Sequence, residues 1–169
     1  MKSQLGALII MSSFGLWWQH GHGAQSSLPA ELEPYSLKPI GRVSKIKGRT
    51  QIALLKQYEL GLLGLSDFSH VYVFWWFNGN DTPKGHAVLQ VHPRGNPANP
   101  LTGVFATRSP RRPNLIAMTL CKIVSVHGNV LELEAIDAFS GTPVFDLKPF
   151  IPNSDSAANP RTPAWLREK

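Results

Sequence analysis

Residue types alternate strictly along Leu131-Glu132-Leu133-Glu134-Ala135. In an extended segment the apolar side chains lie on one face and the glutamates on the other, which is typical of a half-buried antiparallel strand. An apolar stretch from Ile116 to Val126 precedes this segment, and His127-Gly128-Asn129 between the two favours a hairpin turn. The pattern therefore predicts two neighbouring antiparallel strands.

The rest of the chain from Pro39 onward also consists of short segments separated by glycine and proline. Three of them are rich in strand-forming residue types: Thr50 to Leu55, His70 to Phe77 and Ala87 to His92. Only Leu54 to Leu63 has a helical pattern. We therefore predict a mainly β fold, a single small antiparallel β-barrel domain with few short helices. Since no Gly-rich strand-to-helix fingerprint occurs, the predicted fold is non-Rossmann.

A length of 169 residues is enough for one domain of ordinary size and too short for two. Near the start, Lys2 precedes an apolar run from Leu5 to Trp18 and the small residues Gly23-Ala24, the layout of a secretory signal peptide. The run is too short for a comfortable membrane span, so no stable span is expected. The predicted parts are a signal-like leader or disordered arm at 1–33, a β-barrel domain at 34–153 and a C-terminal tail at 154–169.

Basic residues outnumber acidic ones, 17 to 11, which gives a net charge of +6. This charge is compatible with an anionic ligand or a polyanion such as RNA, without identifying either. Six basic residues in one stretch have no acidic residue among them: Lys38, Arg42, Lys45, Lys47, Arg49 and Lys56. They form either a row of phosphate contacts or an ordinary solvated face.

The cysteine and histidine content argues against a metal centre or a cysteine nucleophile. The single cysteine, Cys121, lies among apolar neighbours, which predicts a buried structural residue. Of the six histidines only His20 and His22 lie close together, in a Gly-rich stretch that resembles a linker. We therefore predict no metal site.

The aromatic segment Val71 to Phe77 is apolar on both faces. Its neighbouring indoles, Trp75 and Trp76, point to opposite sides of a strand. Either this segment is a central strand of the core, or one indole lies at a ligand pocket or a subunit interface.

Two further segments concentrate polar and rigid residues. In Thr107 to Asn114, three arginines and two prolines form a stiff turn whose guanidinium groups suit carboxylate or phosphate, although a solvated basic turn is the simpler reading. In Asp137 to Phe150, the turn Ser140-Gly141-Thr142 leads into a strand on which Asp146 and Lys148 share a face. That pair is either a surface ion pair or a substrate-orienting pair.

These two segments carry a resemblance to a known family. The motifs are Gly103-Val104-Phe105-Ala106-Thr107-Arg108-Ser109, Arg112-Pro113-Asn114, Gly141-Thr142-Pro143-Val144 and Asp146-Leu147-Lys148-Pro149. Upstream, Pro39-Ile40-Gly41 and Gly64 to His70 match in type and order. Over roughly residues 38–153 the chain resembles the TrmO/TsaA-like family of S-adenosylmethionine-dependent tRNA methyltransferases.

The resemblance implies a β-barrel that binds S-adenosylmethionine, acts as a homodimer with its site near the subunit interface, and works in the cytoplasm. It implies methylation of N6 in the threonylcarbamoyl-adenosine beside the anticodon of tRNA. It also implies residues around the cofactor: Phe77, Asn78, Arg108, Met118, Glu134, Ala135, Ile136 and Asp137. It places five further residues toward the substrate: Arg111, Arg112, Asn114, Asp146 and Lys148. The last four of these are the catalytic candidates.

The chain departs from the family pattern in three places. Asn114-Leu115-Ile116-Ala117 stands where the family has Asn-Pro-Ile-Gly, Asn78 stands where a histidine is usual, and an Arg-Gln-Pro segment between Ile40 and Gly64 is missing. These departures leave open a methyltransferase with a different acceptor. The signal-like leader leaves open an exported, non-catalytic ligand-binding barrel.

Overall fold

The computed structural model describes residues 34–167. The predicted leader, residues 1–33, lies outside the described residues. Within residues 34–167, no helix has the length and hydropathy to cross a bilayer.

Six strands form a closed antiparallel barrel in the order β1-β2-β7-β6-β3-β8, which β1 closes by pairing with β8. A separate two-stranded sheet contains β4 and β5. The barrel strands are β1 (Gly41–Ile46), β2 (Arg49–Leu54), β3 (His70–Trp76), β6 (Ile116–His127), β7 (Val130–Leu133) and β8 (Pro143–Pro149), and the small sheet contains β4 (Gln90–Val91) and β5 (Thr102–Gly103). The predicted mainly β barrel is confirmed.

Helices are few and short, as predicted. The α-helices are α1 (Pro83–His86), α2 (Pro152–Asp155) and α3 (Ala164–Arg167), and single 3-10 turns cover Lys56–Leu62, Leu65–Asp67, Asn78–Asn80, Pro93–Gly95 and Val104–Ala106. The helical pattern at Leu54 to Leu63 forms a 3-10 helix over Lys56–Leu62. It starts later than the pattern because Leu54 is the last residue of β2.

The strand predicted at Ala87 to His92 is only two residues long, Gln90–Val91. Helix α1 ends at His86, and residues 87–89 form a turn and coil before the strand. Thr82 caps α1, its hydroxyl accepting a hydrogen bond from the Gly85 amide at 3.0 Å. Pro83 at the first helical position strengthens this start. The strand is therefore shorter than predicted because α1 and the turn that ends it occupy the chain before Gln90.

The hairpin is confirmed, and the alternating strand is confirmed as far as Leu133, where β7 ends; Ala135, predicted on the buried face, is exposed. β6 and β7 pair from His127–Val130 onward, and Gly128 in the turn has a φ of +57°, a conformation that favours glycine. Leu131 and Leu133 are buried inside the barrel, as the alternation predicts.

The core follows from the same alternation on the barrel strands, most regularly on β3. On β3, Val71, Val73 and Trp75 point inward and are buried, and Trp75 is 5% exposed. Trp76 lies on the outer face, where its ring meets Phe145 edge-on at a centroid distance of 5.6 Å. The two indoles therefore divide between core and surface.

Cys121 is buried in the barrel, in line with the structural role predicted for it. Burial, and to a lesser degree the charge of Asp137, raises the pKa of its thiol to about 11. A thiol with such a pKa is protonated at neutral pH and is a poor nucleophile.

Candidate functional site

The barrel wall has a gap beside the first half of β6. The pairing of β7 with β6 extends only as far as Leu133 opposite Ile123, and the last backbone bond beyond it joins the Glu134 amide to the Lys122 carbonyl at 3.0 Å. From Ile116 to Lys122, β6 pairs with β3 on its other edge. Alternation in an antiparallel ladder therefore turns the backbone groups of Met118 and Leu120 toward the gap.

A cavity of about 460 Å³ lies at this gap. Its walls come from the end of β3, the first half of β6, the loop of residues 107–112 and the segment after β7. The volume lies in the range of about 300–1,000 Å³ that is usual for small-molecule sites. We call this space the edge cavity.

Four of the predicted cofactor residues line the edge cavity together: Phe77, Arg108, Met118 and Asp137. They come from distant parts of the sequence and supply an aromatic ring, a guanidinium group, a thioether and a carboxylate. The ring of Phe77 packs edge-on against Trp75 at a centroid distance of 4.8 Å, which fixes its orientation.

A short hydrogen-bond relay holds the carboxylate of Asp137. Nε1 of Trp75 donates to the Thr119 hydroxyl at 3.0 Å, and that hydroxyl donates to Oδ1 of Asp137 at 2.6 Å. Because the indole can only donate, it leaves the hydroxyl proton free for the carboxylate. The relay thereby orients Asp137 while leaving its second oxygen available to a ligand.

The loop above the cavity is held by its own side chains. The Thr107 hydroxyl donates to the Val104 carbonyl at 2.9 Å and accepts from the Ser109 amide at 3.2 Å. The Ser109 hydroxyl accepts from the Arg111 amide at 3.2 Å, and Nη1 of Arg112 donates to the Thr107 carbonyl at 3.2 Å. Val104, 1% exposed, anchors the loop in the interior. The basic turn predicted from sequence is therefore ordered and faces the cavity.

The remaining predicted cofactor residues do not line the edge cavity: Asn78, Glu134, Ala135 and Ile136. The Ile136 side chain is buried in the core, and its carbonyl accepts a hydrogen bond from Nζ of Lys45 at 2.9 Å. Glu134 lies 3.7 Å from Nζ of Lys122, in an exposed ion pair. Contacts of these four residues with a cofactor stay a prediction.

The predicted substrate residues are more spread out. Arg112 lines the edge cavity, whereas Asn114 is exposed just beyond the turn. Asp146 and Lys148 form an exposed ion pair at 2.9 Å on β8. Phe74 of β3 lies between Met118 of β6 and Asp146 of β8 in the sheet. Asp146 is therefore two strand spacings, or about 10 Å, from the cavity residue Met118.

A second and larger space, of about 1200 Å³, adjoins the first and shares Thr107 and Arg108 with it. We call it the basic cavity. Its walls come from the segment after β4, the loop of residues 105–111 and helix α3. It contains three arginines and two aromatic residues other than histidine: Arg94, Arg108, Arg111, Phe105 and Trp165. None of the described residues that line it is Asp or Glu.

A histidine bridge ties helix α1 to the turn at Pro113. Nε2 of His86 lies 2.8 Å from Oδ1 of Asp81, and Nδ1 lies 2.7 Å from the Pro113 carbonyl. The hydrogen bond to Asp81, then the one to Pro113, raises the pKa of His86, and the bonds from His86 and Trp76 lower the pKa of Asp81. Both neighbours of the ring are acceptors, so only the imidazolium form satisfies both.

The predicted basic row is partly engaged by groups of the protein itself. Nη1 of Arg42 donates to the Gly141 carbonyl at 3.0 Å, and Lys45 bonds Ile136 as described above. Two members are ion-paired with glutamates from outside the row: Arg49 with Glu132 and Lys56 with Glu59. Phosphate contacts by this row stay a prediction.

Sequence reasoning did not identify Thr119 as part of the site. One signal was present for Thr119, which occupies an inward position of β6 between Ala117 and Cys121. A hydroxyl on a buried face needs a hydrogen-bond partner, and such a partner often belongs to a site. Trp75 was left open between the core and a ligand pocket, and it is buried and also lines the edge cavity. Thr107 was placed in the basic turn, without the hydrogen bonds by which its hydroxyl closes the loop.

The part of the chain that forms the barrel and the edge cavity is similar to known proteins. The family model described as the tRNA-methyltransferase O N-terminal domain matches residues 37–156. A "Probable S-adenosyl-L-methionine-binding protein" of Methanocaldococcus jannaschii is 42% identical over 116 residues, 69% of this chain and 92% of that protein. The tRNA (adenine(37)-N6)-methyltransferase of Homo sapiens is 46% identical over 105 residues, 62% of this chain and 23% of that protein.

A crystal structure of TrmO from Pseudomonas aeruginosa has a TM-score of 0.61 and 28% sequence identity, covering 78% of this chain and 62% of that one. This chain therefore spans most of its archaeal relative, under two thirds of the bacterial structure and about a quarter of the human enzyme. Since the family match includes all six barrel strands and every residue that lines the edge cavity, the chain belongs to the TrmO family.

Proposed function

We propose that this protein is an S-adenosylmethionine-dependent methyltransferase that modifies N6 of an adenine in tRNA. The observation that carries the proposal is the edge cavity, where Phe77, Arg108, Met118 and Asp137 meet. The family membership and the names of the archaeal and human relatives support the cofactor and the reaction.

The groups around the edge cavity fit the cofactor in chemical type. The Arg108 guanidinium matches a carboxylate, which it can bind through two parallel hydrogen bonds. The carboxylate of Asp137, oriented by Thr119, matches a ribose hydroxyl or an ammonium group. Phe77 and Met118 supply apolar surface for a purine ring, and the exposed backbone edge of β6 supplies donors and acceptors for its polar rim.

When bound, S-adenosylmethionine supplies an electrophilic methyl group on a positively charged sulfur. Transfer to a nitrogen is an in-line displacement, so the protein contributes mainly by positioning the acceptor and matching the changing charge. Arg112, held to the Thr107 carbonyl, has the right place to orient an acceptor at the mouth of the cavity. Asn114, Asp146 and Lys148 are further candidates for contacts with the substrate.

We further propose that the acceptor is the threonylcarbamoyl-adenosine next to the anticodon, as the family resemblance implies. The net charge of +6 and the arginine-rich loop above the cavity suit a polyanionic substrate. A tRNA substrate places the reaction in the cytoplasm. We take the barrel domain to extend over residues 34–153.

A homodimer is a separate part of the proposal. Ile116, Met118 and Leu120 stand in a row on the outside of β6, with 39%, 38% and 42% of their surface exposed. They line the edge cavity and are continuous with the aromatic outer face of β3. Covering this face with a second copy removes apolar surface from water and places the site at the interface. Sedimentation of wild type and Leu120→Glu tests this, since the variant is expected to be a monomer.

Calorimetric titration of S-adenosylmethionine into the full chain tests the cofactor. We expect saturable binding by the wild type and by Arg161→Ala, an exposed arginine that lines neither cavity. Methylation of bulk tRNA from cells that lack the native activity then tests the acceptor. Binding of the cofactor without methylation of that tRNA would point to a different acceptor, and no binding at all would remove the methyltransferase proposal.

A further inference from the structure

The basic cavity is a broader and more open space than a usual small-molecule site. Its volume of about 1200 Å³ exceeds the usual range of about 300–1,000 Å³ for such sites. It adjoins the edge cavity through Thr107 and Arg108, which line both. An occupant of the basic cavity therefore lies next to whatever reacts in the edge cavity.

An exposed aromatic ring stands at the wall of this cavity. Phe105 is 78% exposed, although it lies in a turn that the buried Val104 anchors and the Thr107 hydroxyl closes. An exposed ring on a fixed backbone turn is a typical platform for stacking, because an unpaired base has a flat face that can lie against it. Trp165, from helix α3, is a second aromatic residue in the same wall.

The charge of the wall indicates the class of the occupant. Arg108 and Arg111 line it together with Arg94, and none of the described lining residues is acidic. Aromatic platforms interleaved with arginine are the usual means of holding single-stranded nucleic acid. A protein partner would be expected to meet a less uniformly basic surface.

We infer that the basic cavity binds the single-stranded RNA that flanks the target adenosine, with Phe105 stacking on a base and Arg111 contacting a phosphate. The target base then enters the edge cavity past Thr107 and Arg108. This inference rests on the proposed function for the identity of the RNA, and it assigns to Phe105 and Trp165 a role that the cofactor site does not need.

The test measures RNA and cofactor binding separately on the full chain. The RNA probe is a fluorescein-labelled anticodon stem–loop that carries threonylcarbamoyl-adenosine, followed by anisotropy without cofactor. Cofactor binding is followed by calorimetry. Phe105→Ala is expected to weaken RNA binding about 5- to 150-fold, the range for loss of one base stack, and to leave cofactor binding unchanged. Phe105→Tyr is expected to retain RNA binding because it keeps the ring.

The matched control is Phe139→Ala, a phenylalanine that is 85% exposed and lines neither cavity. It is expected to bind both ligands as the wild type does. Arg111→Gln is expected to weaken RNA binding and to lower the slope of log K against log salt by about one.

The two proposals fail in different ways. Unchanged RNA affinity in Phe105→Ala, an equal loss in Phe139→Ala, or no RNA binding by the wild type overturns the RNA site. Loss of cofactor binding together with RNA binding in Phe105→Ala also overturns it, since Phe105 would then act on the whole site. RNA binding by a wild type that does not bind S-adenosylmethionine overturns the methyltransferase and leaves the RNA site standing.

Discussion

The edge cavity and the basic cavity share Thr107 and Arg108 but are built from different material. The edge cavity is set into the barrel wall, and its residues from β3 and β6 are fixed by strand pairing on one side. The basic cavity is formed by loops, 3-10 turns and the four-residue helix α3. Strands hold side chains to small tolerances, whereas loops adapt more readily to an irregular partner. The difference suits a small rigid cofactor on one side and a flexible polymer on the other.

Loss of Arg108 is expected to have the largest effect, because it is the charged residue common to both cavities. Arg108→Ala removes a charge-assisted hydrogen-bond pair, worth about 1.5–3 kcal/mol, and should lower S-adenosylmethionine affinity about 10- to 150-fold. RNA affinity should fall as well. Calorimetry and anisotropy measure the two losses, with Arg161→Ala as the control. A loss confined to one ligand would mean that the two cavities do not share this residue functionally.

Asp137→Asn separates the cavities, since Asp137 lines only the edge cavity. The variant removes the charge and keeps the shape, so cofactor affinity should fall by about 1–2 kcal/mol while RNA affinity stays the same. Asp67→Asn, at an exposed aspartate that lines neither cavity, is the control. Equal behaviour of Asp137→Asn and Asp67→Asn in calorimetry would show that the carboxylate does not contact the cofactor.

Thr119→Val tests whether the relay, rather than Asp137 alone, prepares the edge cavity. The change keeps the side-chain shape and deprives both the Trp75 indole and Asp137 of a hydrogen-bond partner. We expect the free energy of unfolding to fall by about 1–2 kcal/mol and cofactor affinity to fall a few-fold. Thr119→Ser keeps the hydroxyl and should restore both quantities. Full stability in Thr119→Val, measured by denaturant unfolding, would contradict the relay.

The barrel was predicted better than the site because its strands follow from local sequence patterns, whereas the site depends on contacts between residues far apart in the chain. The alternation at Leu131 to Ala135 and the glycine turn before it are local patterns, and both strands of that hairpin were predicted correctly. The relay joins Trp75 to Thr119 across 44 positions and Thr119 to Asp137 across 18. No local pattern encodes such contacts, because they exist only once β3 and β6 have paired.

The family motifs compensated for this in part. They identified Arg108, Met118 and Asp137, which do meet at the edge cavity. They did not identify the free edge of β6, since its opening depends on where β7 stops pairing at Leu133. They also grouped Glu134 to Ile136 with Asp137, although β7 ends at Leu133 and the irregular segment after it exposes Glu134 and buries Ile136.

The smallest expected effect concerns the His86 bridge, which holds the Pro113 carbonyl at the end of the loop that contributes residues to both cavities. The raised pKa of His86 means that its stabilising contribution is complete below its usual value of 6.5 and is lost as pH rises through the higher folded value. The lowered pKa of Asp81 means that its contribution is complete above its usual value of 3.8 and is lost as pH falls through the lower folded value. The bridge should therefore stabilise the protein most between these two usual values.

His86→Gln should lower Tm inside that window and by less above neutral pH, because deprotonation has already weakened the wild-type bridge there. A Tm difference between wild type and variant that does not change with pH would show that the bridge acts by packing and not by charge. If the bridge positions the Pro113 turn, a rise in pH should weaken both cofactor affinity and RNA affinity in the wild type. Neither affinity should depend on pH in this way in His86→Gln. A residue that served only one cavity would change only one of the two affinities.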